Sequence, residues 1–174
     1  MEKSASGSAQ TPLAGCRGLG RAGFSLIELV IVVVIIALIG AVAIPRMSRA
    51  AAGASDSSLI QDLSTLRGAL DLYQSEHGGN YPTGARLAQA LLRYTDDSGQ
   101  VSSTQAGNFI YGPYLRQIPP QPVGKNAGKN GIDVVPVGNY GSSTSGWVYD
   151  PSKGTIAANT GAERDDSGVL YSSY

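Results

Sequence analysis

The 174-residue sequence has only one cysteine, Cys16, and one histidine, His77. A single thiol cannot form a disulfide within the chain or supply a cysteine-based metal site. With one histidine and no Gly-x-Ser-x-Gly sequence, nothing supports the nucleophile–base pair of a hydrolase. These absences predict a protein that is not an enzyme.

Charged residues are also scarce. Asp, Glu, Lys and Arg make up 15% of the chain, and 13 basic residues balance 13 acidic ones. A nucleic-acid-binding protein normally carries a basic excess, and a chain disordered through its charge carries a high net charge. The balance argues against both classes, and we expect no nucleic-acid partner.

The even averages conceal one long apolar segment, which runs from Phe24 to Ile44. A helix of that length spans roughly 31 Å, about the thickness of the hydrocarbon core of a bilayer. Core helices of soluble proteins rarely run so far without a polar face. The segment therefore predicts a membrane-spanning helix. The basic stretch before it, with Lys3, Arg17 and Arg21, indicates that the N-terminal side stays in the cytoplasm.

Glu28 is the only charged residue within this apolar segment. A carboxylate costs about 2.5–3.5 kcal/mol near the centre of a bilayer and less near its interface. Glu28 could therefore extend to the cytoplasmic boundary, or it could pair with a cation. If the chain is cut after Gly23, Phe24 gains a free α-amino group one helical turn away. Glu28 of one subunit could then pair with the Phe24 amine of the next and select one stagger, since an unpaired charge would be costly.

The sequence GFSLIE from Gly23 to Glu28, followed by an apolar run that closes at Pro45, resembles the class III signal of type IV pilins and type II secretion pseudopilins. This resemblance implies cleavage between Gly23 and Phe24 by a prepilin peptidase, and N-methylation of Phe24. It also implies assembly roles for Phe24, Glu28 and Pro45. An uncleaved membrane anchor is the alternative.

The resemblance implies three parts and an α+β fold of the type IV pilin kind. Residues 1–23 are a cleaved leader peptide, residues 24–45 a transmembrane and filament-core helix, and residues 46–174 a soluble head. In such a fold a long N-terminal helix packs on a small antiparallel sheet.

Sequence periodicity predicts the elements of the head. An amphipathic helix is expected over 46–77, because apolar residues recur there in steps of four and three. Their stripe is predicted to face the core, with a coiled-coil seam as the alternative: Leu59, Leu63, Leu66, Leu70 and Tyr73. A second, short helix is expected from a cap at Thr83 to Tyr94. Strands are predicted over 109–115, 132–137, 147–149, 155–157 and 169–171, with a hairpin turn at Asp150–Gly154.

Three acidic residues near the C-terminus are candidate metal ligands: Glu163, Asp165 and Asp166. Calcium prefers hard oxygen ligands, and the resemblance implies it, since major pseudopilins bind calcium in a C-terminal loop. The spacing of these oxygens matches no EF-hand. Calcium is the one cofactor for which the sequence offers candidates.

Residues 69–83 are similar to the end of the first helix in major pseudopilins of type II secretion, and the chain lacks the C-terminal cysteine pair of many type IV pilins. The resemblance implies a structural subunit that polymerises from the bacterial inner membrane, with its head in the periplasm, to drive protein secretion. Its partners would be further copies of itself, other pseudopilins, the prepilin peptidase and the inner-membrane assembly platform. The alternatives are a minor type IV pilin for adhesion, motility or DNA uptake, and a membrane-anchored domain that does not polymerise.

Overall fold

The computed structural model describes residues 23–136, 138–140 and 144–174. Predictions that concern residues 1–22 of the leader lie outside the described residues. Contacts divide the chain into two compact units, Met1–Ala43 and Ile44–Tyr174. Helix α1, Leu26–Glu76, contributes residues to both units.

In the first unit, the described residues form the apolar start of α1. Its large side chains are exposed, from 46% for Val30 to 80% for Leu26. This part of α1 is long and apolar enough to cross a membrane. A helix that is apolar on every side normally lies against lipid or against other protein.

In the second unit, α1 supplies one wall of the core. The predicted stripe from Leu59 to Tyr73 is buried, and its leucines cluster with residues of the sheet and of a second helix. The stripe therefore faces the core of the head, as predicted. The helix ends at Glu76, because Gly78 and Gly79 adopt positive φ angles of 63° and 86° that stop it.

A short second helix and a two-stranded hairpin follow. They comprise a 3₁₀ turn at Gly84–Arg86, α2 at Leu87–Leu92, β1 at Tyr94–Thr95 and β2 at Val101–Ser102. Thr83 lies at the predicted cap position directly before the 3₁₀ turn, but the prediction of a helix that continues to Tyr94 is wrong. The Thr83 side chain makes no capping hydrogen bond, and Tyr94 and Thr95 pair with β2 instead of continuing the helix.

The main sheet has three strands in the order β3-β4-β5: Ile132–Val134, Trp147–Asp150 and Thr155–Ala158. Strands β4 and β5 form the predicted antiparallel hairpin, with Trp147 opposite Ala158. Strand β3 pairs with β4 in parallel, so the sheet is mixed rather than wholly antiparallel. The expected α+β class is confirmed.

Two other predicted strands are not formed. In 109–115, only Tyr111 makes a β-bridge, to Thr95. In 169–171, Leu170 makes a single bridge to Arg164, and Tyr171–Ser173 is a 3₁₀ turn. The chain turns there because Asp165 Oδ1 accepts from the main-chain N–H groups of Ser167 and Val169. In a strand, main-chain N–H groups would instead donate to a neighbouring strand.

Candidate functional site

The start of α1 lies next to the predicted cleavage point. Gly23, Phe24 and Ser25 precede the helix, which begins at Leu26. Phe24 is 84% exposed, and Glu28 lies in the first helical turn. The peptide bond between Gly23 and Phe24 is thus in an open, non-helical stretch directly before an exposed apolar helix.

Glu28 caps its own helix. The Ser25 main-chain N–H donates to Glu28 Oε2 at 3.0 Å, and the Ser25 carbonyl accepts from the Leu29 N–H at 3.2 Å. This is the glutamate half of a capping box, in which the third helical residue binds back to the N-cap main chain. A carboxylate is also favoured at a helix N-terminus by the helix dipole. The charge of Glu28 is therefore partly compensated within its own chain.

Ser25 is the residue that sequence reasoning missed. The spacing Ser-x-x-Glu directly before an apolar run is a known helix-start signature, so the signal was present in Ser25 and Glu28. The main chain continues as helix through Pro45. Roles of Phe24, Glu28 and Pro45 in assembly stay predictions.

Two of the three candidate calcium ligands, Glu163 and Asp165, accept hydrogen bonds from the main chain. Both carboxylate oxygens of Glu163 accept from the Lys125 main-chain N–H at 3.1 Å. Asp165 Oδ1 accepts from the N–H groups of Ser167 and Val169, at 2.9 and 2.7 Å. Among the described residues, no group of three or more His, Cys, Asp or Glu side chains could hold a metal. Calcium binding by these three residues stays a prediction.

Asp165 is instead bonded to a tyrosine. The Tyr174 hydroxyl donates to Asp165 Oδ2 at 2.6 Å. This hydrogen bond lowers the pKa of the Asp165 carboxyl below its usual value and raises the pKa of Tyr174 to about 12. The opposite directions agree, since one bond stabilises the carboxylate and the protonated phenol together.

His77 packs at the end of α1, beside a cavity of about 380 Å³. Its ring stacks on Tyr73 with centroids 3.7 Å apart, and its Nδ1 lies 2.8 Å from the Tyr73 carbonyl oxygen. Its Nε2 is buried and has no hydrogen-bond partner among the described residues. The His77 ring is therefore held by stacking on Tyr73 and by the contact of its Nδ1.

Comparison with known proteins identifies the family to which the chain belongs. Residues 19–44 match the family described as the prokaryotic N-terminal methylation motif, which covers the cap of α1 and its apolar start. Over 104 residues the chain is 30% identical to the type II secretion system core protein G of Klebsiella pneumoniae, covering 60% of this chain and 70% of that protein. The chain belongs to the G-type pseudopilin family. No solved structure matches the chain significantly.

This assignment agrees with the geometry of the pseudopilin. A prepilin-type N-terminus, an apolar membrane-length helix and an α+β head occur in one chain. The chain is a pilin-like subunit with the features of a membrane-anchored envelope protein. The name of its relative describes a core protein of a secretion system and no catalytic activity.

Proposed function

We propose that this pseudopilin is a structural, non-enzymatic subunit of a type II secretion pseudopilus. In this proposal, prepilin peptidase cleaves after Gly23, Phe24 is N-methylated, and the subunit polymerises from the inner membrane with its head in the periplasm. One observation carries the proposal: an uncovered apolar helix begins with a single, locally capped carboxylate at Glu28.

The uncovered half of α1 supports the first step, which is membrane residence. Its apolar side chains need either lipid or neighbouring helices around them. The one acidic residue lies in the first turn, where the Ser25 N–H binds it. This local hydrogen bond reduces the cost of keeping Glu28 near the membrane interface while the subunit waits for assembly.

The unused oxygen of Glu28 supports the second step, which is docking on a neighbour. Only Oε2 is bonded to Ser25, and Oε1 makes no hydrogen bond within the described residues. A carboxylate can accept several hydrogen bonds. Glu28 can therefore keep its own cap and still accept from the Phe24 amine of the next subunit. The pair would set the stagger of the helices as they leave the bilayer for the filament.

The partners follow from these steps. They are further copies of the chain, other pseudopilins, the prepilin peptidase and an inner-membrane assembly platform. The relative's role in a secretion system supports this set, since that system supplies the remaining components.

Two substitutions at Glu28 test the proposal. Glu28→Leu removes both the charge and the acceptor, whereas Glu28→Gln removes the charge and keeps an acceptor for the Ser25 N–H. Both variants should be cleaved and inserted, as read from the intact mass of the membrane-extracted subunit. Both should yield far fewer filaments in a shearing assay, because neither can form an ion pair.

A carboxylate-to-amide change in the head, Asp166→Asn, is the matched control and should assemble normally. Normal filaments from Glu28→Gln would contradict the ion pair and leave capping as the role of Glu28. A wild-type mass that still begins at Met1 would contradict processing and would favour a plain membrane anchor.

A further inference from the structure

The C-terminal segment of the head, residues 163–174, is where the family resemblance implies calcium. We infer that Glu163, Asp165 and Arg164 close this segment directly, by hydrogen bonds to the protein's own main chain, and that these residues bind no calcium ion. The inference rests on the contacts of these three side chains.

Glu163 joins the segment to the loop before it. Its two carboxylate oxygens lie 3.1 Å from the Lys125 main-chain nitrogen, and they approach the loop at Gly124. A Cβ at Gly124 would lie only 2.1 Å from Glu163 Oε2, and Gly124 has a φ of 70°. The loop is thus shaped to admit the carboxylate of Glu163, and an N–H group faces it where a metal site would place a cation.

Asp165 closes the turn that follows. Asp165 Oδ1 accepts hydrogen bonds from the N–H groups of Ser167 and Val169, and Oδ2 accepts one from the Tyr174 hydroxyl. Calcium takes six to eight oxygen ligands with lone pairs directed at the ion. The hydrogen-bond donors already face both Asp165 oxygens. Oδ1 already has two donors, so a cation at this carboxylate would have to displace one of them or share Oδ2 with the Tyr174 hydroxyl.

Arginine side chains supply the positive charge of the segment. Arg164 Nη1 donates to the Gly168 carbonyl oxygen at 2.6 Å, and Arg67 Nη2, from α1, donates to the main-chain oxygen of Tyr174 at 2.7 Å. Carbonyl oxygens of this kind are ligands that calcium uses in loops. Here these oxygens accept hydrogen bonds from guanidinium groups instead. The positive charge of Arg164 would also repel a divalent cation placed beside it.

Thermal unfolding of the full chain in detergent micelles tests the inference. The single tryptophan, Trp147, is buried in β4, within the core cluster on which Tyr171 and Tyr174 of the segment pack. Its fluorescence therefore reports unfolding of the head. Melts are compared in 1 mM CaCl2 and in EGTA for the wild type, Glu163→Ala, which removes both acceptor oxygens, and Arg164→Ala. A calcium site filled at a hundred times its Kd would raise Tm by roughly 5–10 °C.

We expect Glu163→Ala and Arg164→Ala to lower Tm by a few degrees in EGTA, and calcium to raise the Tm of the wild type and of both variants by much less than 5–10 °C. The control is Asp166→Asn, because Asp166 is exposed and has no hydrogen bond among the described residues. It should melt like the wild type in both buffers.

Two results would overturn the inference. A calcium-dependent rise in wild-type Tm that shrinks in Glu163→Ala would make Glu163 a calcium ligand. Unchanged melting of Glu163→Ala and Arg164→Ala in EGTA would show that neither side chain closes the segment.

Discussion

Leu66 is the position where the packing of α1 against the head can be measured most directly. Its side chain is fully buried and belongs to the core cluster that also contains Trp147 and Leu91. Leu66→Ala removes buried methyl groups and leaves a cavity that the neighbours fill only in part. Such substitutions cost about 2–5 kcal/mol of unfolding free energy. For a domain of this size, that lowers Tm by roughly 8–20 °C.

Leu72 provides a matched control on the same helix. It is 50% exposed, so Leu72→Ala changes helix propensity as much as Leu66→Ala does but removes little buried surface. We expect a loss of about 1 kcal/mol or less. The difference between the two variants isolates the contribution of packing on the head.

The assay is urea unfolding of the full chain in detergent micelles, followed by Trp147 fluorescence. Leu66→Ala should shift the midpoint much further than Leu72→Ala at a similar slope. Equal shifts of the two midpoints would contradict this prediction. They would mean that the buried side chain of Leu66 stabilises the head no more than the half-exposed side chain of Leu72 does.

Two further predictions concern glycine packing and pH. Gly84→Ala would place a Cβ 2.2 Å from Val134 Cγ1, so it should cost about 1–3 kcal/mol in urea unfolding, and adding Val134→Ala should restore most of the loss. The pKa of Asp165 is lowered in the fold, so its contribution to stability should be complete above pH 4 and be lost as pH falls further, and Asp165→Asn should flatten this acid limb of Tm against pH. The pKa of Tyr174 is raised to about 12, so its contribution should be complete below pH 10 and be lost towards pH 12, and Tyr174→Phe should reduce this alkaline loss.

The elements that were predicted correctly are those with a strong local signal. The stripe from Leu59 to Tyr73 has a helical period that only one face of a helix can satisfy. The hairpin around Asp150–Gly154 combines β-prone residues with a turn in which Asp150 Oδ1 accepts from the Ser152 N–H at 3.0 Å. Both signals act within a few residues, so neighbouring sequence is sufficient to recognise them.

The elements that were predicted wrongly depend on partners elsewhere in the chain. The sequence predicts helix at Tyr94, but its main chain pairs with Ser102 of β2. Residues 169–171 are β-prone, yet Asp165 takes the Val169 N–H and bends the chain into a turn. Strand propensity alone does not reveal which acceptor will reach a given N–H group.

Hydropathy and periodicity are properties of consecutive residues, so the membrane-length apolar helix, the lone carboxylate at Glu28 and the core stripe of α1 can be recognised without a structure. The parallel pairing of β3 with β4, and the bond from the Lys125 main-chain N–H to the candidate metal ligand Glu163, become visible only in the folded head. These partners are brought together by folding across long stretches of sequence. The same carboxylate can bind an ion or close a loop, and the donors that surround it in the folded head determine which.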